Sequence, residues 1–501
     1  MTSKDPIADS SVIALSNSAI PRLRGGVPIP NYDRDRLRPR IAHFGVGAFH
    51  RAHQAFYLDR LLNAAAADDW GIGGVGILPA DAAMKAVLTN QDYLYTLVAK
   101  APSGAWDPRV VGSHCGYLFG PDDPRALVAQ LADPVTAIVS LTITEGGYNV
   151  DQTTGEFISS NADVQAEVAG APPRTAFGYL YEALTARKAA GMPAFTVMSC
   201  DNIQSNGQVA RHALVAYARL RSREVADWID AEVRFPSSMV DRITPRTTPE
   251  DIAAVAQRYG IGDGWPVVTE EFTQWVLEDD FPGGRPPFED AGVEVVRDVE
   301  PYELMKLRLL NASHQGIAYF GWLAGYRAVH DAALDPTMAA FLLDYMHAEA
   351  IPTLRPLPGV DLDAYTHQLI ARFANAEVRD TVARLAAESS DRIPKWLVPV
   401  IREQLVRGGD VRRSAAIVAS WARYAEGTDE QGRPIDIVDR AEAQVREAAA
   451  AWPTDPLAFL RQESFFGELV DSPRFTEPYL WALGSLHERG AKATLETLAA
   501  L

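Results

Sequence analysis

Two cysteines, Cys115 and Cys200, are all that this chain of 501 residues holds. So few exclude a disulfide framework. No apolar run approaches the roughly 18 residues that a membrane-spanning helix requires. Positive charge is also scarce, since 47 Lys and Arg face 65 Asp and Glu and leave a net charge of −18. Nucleic acid and anionic membrane surfaces both demand basic patches, so neither is an expected partner. The opening Met1-Thr2-Ser3-Lys4-Asp5-Pro6 lacks the charged-then-apolar pattern of a signal peptide. No Gly-x-Ser-x-Gly elbow marks a serine nucleophile, and Cys115 has no evident partner base. A cytoplasmic enzyme is the expectation.

With 47% hydrophobic and 22% charged residues, the composition is that of an ordinary globular protein. The length exceeds what one core organises, so two domains are expected. Strand-like runs at 41–44, 74–78, 93–99, 110–112, 135–144 and 195–200 alternate with helical stretches such as 124–131 and 177–190. Further short strands are expected at 239–243, 266–269 and 293–299. This alternation predicts an α/β domain with a mostly parallel sheet covered on both faces. Beyond about residue 300 the period becomes helical, from 303–326 through 492–501. The expected division is an α/β domain over 1–297 and a mainly α-helical domain over 298–501.

Three loops follow predicted strands. In Phe44-Gly45-Val46-Gly47-Ala48-Phe49-His50, the first glycine permits a tight bend and the second lets backbone approach a pyrophosphate. His50 stands where a third glycine is usual. The others are Thr144-Glu145-Gly146-Gly147-Tyr148 and Ser199-Cys200-Asp201-Asn202. In open parallel sheets ligands bind beyond the carboxyl ends of the strands, which is where these loops fall. Past the second strand, Asp81 is the only acid at hand for an adenosine ribose. No Lys or Arg cluster for a 2′-phosphate accompanies it, so NAD is expected rather than NADP.

The run Tyr302-Glu303-Leu304-Met305-Lys306-Leu307-Arg308-Leu309-Leu310-Asn311-Ala312-Ser313-His314 contains neither Gly nor Pro. Read as an α-helix, it sets Glu303, Lys306, Asn311 and His314 within an arc of roughly 140°. Polar groups on an apolar face are costly unless they bind each other or a ligand. On a straight helix Lys306 and His314 stand about 12 Å apart along the axis. His43, His50 and His53 invite a metal, yet His43 lies inside a strand buried on both faces, and no metal is expected.

These segments, with Met239-Val240-Asp241-Arg242-Ile243 and Ser390-Asp391-Arg392-Ile393-Pro394-Lys395-Trp396, resemble the polyol-specific long-chain dehydrogenases. The resemblance runs from about residue 38 to the C-terminus. It implies a Rossmann-like NAD-binding domain, a helical partner domain, a monomer, and hydride transfer without a metal. Lys306 would be the general acid/base, Asn202 and Asn311 the oxyanion-stabilising pair, His314 a ligand of the reacting oxygen or its neighbour, and Glu303 a proton relay. Asp241, Arg384 and Arg392 would contact the substrate. Gly45, Val46, Gly47, Ala48, Phe49, His50, Asp81, Glu145 and Gly146 would line the cofactor. Burial of such a lysine lowers it from about 10.4 toward the range where general-base work is efficient. The implied reaction interconverts D-mannitol and D-fructose with NAD. Fructuronate or tagaturonate reduction and D-arabinitol oxidation are the alternatives.

Overall fold

The computed structural model describes residues 12–23, 26–151 and 154–500. Residues 1–11 and 24–25, ahead of the first strand of the main sheet, lie outside the described residues. The chain divides into two compact units, Met1–Val299 and Glu300–Leu501.

In the first unit five parallel strands form one sheet: β1 (Arg38–Phe44), β2 (Trp70–Gly76), β3 (His114–Phe119), β4 (Ile138–Leu141) and β5 (Thr196–Ser199), in the order β3-β2-β1-β4-β5. The order reverses beside β1, the kind of switch point at which open α/β sheets bind ligands beyond the carboxyl ends of their strands. Ile41, Phe44, Ile72, Val139 and Val197 are buried on one face or the other, as a sheet covered on both sides requires. Helices such as Pro124–Ala132, Ala176–Ala189 and Asn206–Arg221 supply the covering. Asp123 caps the first of these and Thr175 the second.

Not every expected strand joins this sheet. Tyr95–Lys100 pairs antiparallel with Trp106–Val111 and parallel with Val267–Glu270. Ser238–Asp241, Gln274–Glu278 and Glu294–Val296 make a further three-stranded sheet. The run expected as one strand over 135–144 ends at Leu141, because Thr144 takes a left-handed φ of 59° and begins a short helical turn, Thr144–Gly147.

The second unit is helical. Ala312–Leu323 is its central helix, with every residue except Trp322 buried. It packs against Arg412–Ala425, Val382–Ala386 and Pro473–Ala499. The last of these bends at Gly490, whose φ of 82° interrupts the helix.

Candidate functional site

β1 runs into the first informative loop. Gly45 has φ +90°, and a Cβ there would stand 2.0 Å from the Thr142 carbonyl oxygen, so glycine is obligatory for backbone reasons. Gly47 differs. It is exposed, at φ −92°, and a Cβ would meet only the Gly45 oxygen at 3.8 Å. Nothing in the chain's own packing demands glycine at that position; a ligand lying against the backbone would. Gly47 precedes the short helix Ala48–Ala52, which breaks at His53 before Gln54–Asn63 continues. Val46 is buried in the core, so it can offer a cofactor only its backbone.

The missing third glycine has a physical substitute. The His50 ring stacks on the His43 ring, with centroids 3.4 Å apart and planes 12° apart. Flat rings allow the helix and the strand a close approach, which is the third glycine's task in the usual turn. His50 Nε2 lies 3.1 Å from His114 Nε2, and the side chain is 1% exposed. Its ring is therefore engaged inside the protein and is not presented to a ligand. His43 Nδ1 sits 2.8 Å from Ser140 Oγ, and its Nε2 sits 2.9 Å from Thr142 Oγ1. Burial drives His43 down to about 3 and pushes His50 and His114 well below the usual imidazole range. All three are neutral. Among the described residues no group of three or more His, Cys, Asp or Glu is placed to hold a metal ion.

Three side chains outside the expected set hold these loops. Asp201 accepts from the backbone N–H groups of Ile143, at 3.0 Å, and Thr144, at 2.8 Å, and from the Tyr148 hydroxyl at 2.7 Å. It thereby ties the loop after β5 to the left-handed Thr144. Burial raises its carboxyl to about 6, against the lowering effect of those donors. Arg51, within the helix Ala48–Ala52, and Arg242, just past the strand Ser238–Asp241, are buried guanidiniums. Arg51 donates to the carbonyls of Gly47 and Trp265, and Arg242 to those of Ala52 and Glu270. Charged residues in segments that must be interior are the sequence signal for all three.

The remaining expected residues of the first unit occupy its loops and a neighbouring strand. Glu145 and Gly146 are exposed in the turn after β4, and Asn202 is exposed beyond β5. Ala48 and Phe49 are half-buried, with the Phe49 ring stacked on His53. Asp241 ends its strand and is 5% exposed. Asp81 Oδ2 accepts from the N–H groups of Ile77 and Leu78, both at 2.9 Å, so one of its oxygens shapes the turn past β2.

In the second unit Glu303, Lys306, Asn311 and His314 are all buried, none more than 9% exposed. The straight α-helix expected for them is corrected by the structure. Glu300–Met305 is α-helical, Lys306–Asn311 is a π-helical turn, and Ala312–Leu323 is α-helical again. The Ala312 N–H donates to the Leu307 carbonyl, five residues back. In an α-helix residues 306 and 311 diverge by about 140°. In the wider turn the five-residue spacing brings Asn311 round to the side of Lys306. The His314 ring packs on Phe373, with centroids 4.7 Å apart. Arg384 pairs with Asp380 through two contacts, and Arg392 Nη1 donates to the carbonyls of Arg384 and Leu385. Burial is the largest single influence on the Asp380 carboxylate and raises it, but the Arg384 hydrogen bond and charge, with His314 and the Thr381 N–H, together outweigh burial and hold Asp380 below its usual range.

Residues 39–290 match the mannitol dehydrogenase Rossmann domain, and residues 298–486 the mannitol dehydrogenase C-terminal domain. The chain belongs to the mannitol dehydrogenase family. Within that family it is 44% identical over 477 residues to the mannitol 2-dehydrogenase of Aspergillus fumigatus, covering 94% of this chain and 95% of the relative. Identity to the enzyme of the same name from Phaeosphaeria nodorum is also 44%, over 97% of this chain and 86% of that protein. Among solved structures, Pseudomonas fluorescens mannitol 2-dehydrogenase in ternary complex with NAD and D-mannitol superposes with a TM-score of 0.87 at 42% identity, covering 97% of this chain and all of that one. A D-sorbitol dehydrogenase in substrate-free form gives 0.90 at 38% identity, covering 96% and 100%. The α/β fold with a helical C-terminal domain is the family's.

Proposed function

We propose that this protein is an NAD-dependent polyol dehydrogenase that interconverts D-mannitol and D-fructose, with Lys306 as general acid/base. The observation that carries the reading is the burial of a lysine beside Glu303, Asn311 and His314 on one helical segment, in a chain so similar to an enzyme solved with NAD and D-mannitol.

The Gly45–Gly47 turn fits a dinucleotide. The second glycine leaves its amide approachable, and the residues at the carboxyl ends of β1, β2 and β4 would hold the cofactor there. When bound, the nicotinamide supplies the acceptor for a hydride leaving the secondary alcohol carbon. The chain's own residues handle the proton and the oxygen. The Lys306 amine takes the hydroxyl proton as the carbonyl forms, and in ketose reduction the ammonium returns it. Donors from the Asn202 and Asn311 amides stabilise charge on that oxygen without adding a titrating group. Glu303, three residues before Lys306, passes the proton onward, and His314 binds the reacting oxygen or the adjacent hydroxyl. Asp241, Arg384 and Arg392 contact the rest of the polyol.

A uronate reductase needs a net cation for the sugar carboxylate. Arg384 is neutralised by its two-point pairing with Asp380, which favours a hydroxyl there over a carboxylate.

Assays with D-mannitol, D-sorbitol, D-arabinitol, fructose and fructuronate against NAD(H) and NADP(H) test the assignment. Near-exclusive turnover of fructuronate would overturn it. The Lys306→Ala variant should lose about 10²–10⁴-fold in kcat while still binding NADH. Oxidation, needing the neutral amine, should rise with pH where reduction falls.

A further inference from the structure

The π-helical turn that carries Lys306 and Asn311 is held open from outside its own helix. Because the Ala312 N–H bonds to Leu307, the Arg308 carbonyl loses the donor that an α-helix would give it. Tyr345, 0% exposed, donates its hydroxyl to that carbonyl at 3.0 Å. Burial, reinforced by the nearby Glu349, holds the Tyr345 phenol well above its ordinary range, so the donor is present at every working pH. The Arg308 side chain fixes the same turn from another direction, donating to the Thr353 carbonyl at 2.8 Å and pairing with Glu403 at 2.6 Å.

Tyr345 is itself firmly placed. It ends the helix Pro336–Tyr345, and a second π-helical turn, Met346–Ala350, follows at once and packs against the first. The Glu349 carboxylate of that turn accepts from the Arg413 N–H at 2.6 Å and the Ser414 N–H at 2.8 Å, at the start of the helix Arg412–Ala425. The hydroxyl therefore comes from a fixed support.

We infer that Tyr345 is a positioning residue for the polyol dehydrogenase reaction, its hydroxyl keeping the Lys306–Asn311 segment in the π form that sets Lys306 and Asn311 on one side. This rests on the reading of Lys306 as the acid/base. Without the hydroxyl, the Arg308 carbonyl regains a donor if Ala312 N–H shifts from Leu307 to Arg308. That shift turns the segment α-helical and separates Lys306 from Asn311 by about 140°. Misplacement on this scale affects the transition state far more than substrate capture.

The experiment compares wild type, Tyr345→Phe and Tyr479→Phe in D-mannitol oxidation. Tyr479 serves as the control: it is buried in the same unit, and its hydroxyl meets no hydrogen-bond partner. Tyr345→Phe should lower kcat about 10- to 100-fold with the polyol KM held within about threefold. Its oxidation profile should also move along the pH axis, because the amine sits among different neighbours. Tyr479→Phe should match wild type in both. Unchanged kcat in Tyr345→Phe overturns the inference, as does a rise in KM alone. Failure of Tyr345→Phe to fold also overturns it, since the hydroxyl would then be a requirement of the core. Absence of polyol turnover in the wild type would instead reject the functional reading.

Discussion

Replacing Gly47 by alanine separates a ligand's demand for glycine from the chain's own. The backbone there, φ −92° and ψ −172°, suits alanine, and the new methyl carbon would lie 3.8 Å from its nearest neighbour, the Gly45 oxygen. Alanine is a poorer N-cap than glycine, but the substitution also reduces the freedom of the unfolded chain by about 0.4–1 kcal/mol. The two effects oppose each other, and stability should stay within about 1 kcal/mol of wild type. Cofactor binding should respond quite differently. A methyl where the pyrophosphate meets the turn displaces one charge-assisted hydrogen bond, worth roughly 1.5–3 kcal/mol, or roughly ten- to a hundredfold in Kd. Gly45→Ala provides the contrast. It places a carbon 2.0 Å from the Thr142 oxygen at a φ of +90°, so it should destabilise the apo-protein by at least about 1–3 kcal/mol. Fluorescence titration with NADH, paired with thermal unfolding of the apo-proteins, reads both quantities. A Gly47→Ala protein that binds NADH as tightly as wild type would refute the placement of the dinucleotide on this turn.

Two further outcomes test buried carboxyls. Glu349 is raised by burial from 4.5 to about 7, so between those values the folded protein keeps a proton that the unfolded chain releases. Stability from this group is therefore lost as pH rises through that window, by up to about 3 kcal/mol. In Glu349→Gln that loss is absent, so the wild-type urea midpoint should fall steadily relative to that of the variant from about pH 5 to 7.5; parallel profiles would reject the assignment. Asp201→Asn removes one acceptor from the Ile143 and Thr144 amides and should cost about 1–3 kcal/mol while weakening NADH binding. An unchanged melting temperature and NADH affinity would show that Thr144 holds its left-handed conformation unaided.

Much of this was legible in the residues. Short apolar runs alternating with helical stretches marked β1, β4 and β5, and the change of period near residue 300 marked the helical part. β3 escaped notice because His114-Cys115-Gly116-Tyr117 is poor in β-branched residues. The small sheets were hidden for another reason: Tyr95–Lys100 joins Val267–Glu270 across a long sequence separation that no local pattern reports. In the candidate site, the identities of Glu303, Lys306, Asn311 and His314 were visible, yet their mutual geometry was not. A fixed rotation of about 100° per residue assumes an unbroken α ladder, and the π turn departs from it through Tyr345, a residue far along the chain. Asp201 was in view as part of a loop, but its partners Ile143 and Thr144 become neighbours only once β4 and β5 are paired.

The stacked imidazoles behind the Gly45–Gly47 turn bear on how this protein meets changes in acidity. A loop so rich in histidine suggests a proton sensor, but His43 takes a proton only near pH 3, and its two companions resist protonation more generally. The rings beneath the Gly45–Gly47 turn therefore stay uncharged through the physiological range. Any acid sensitivity of turnover between pH 5 and 9 must originate elsewhere in the molecule. The same rings would register acid only as a loss of stability below about pH 6.5, where unfolded histidines gain protons that these cannot accept.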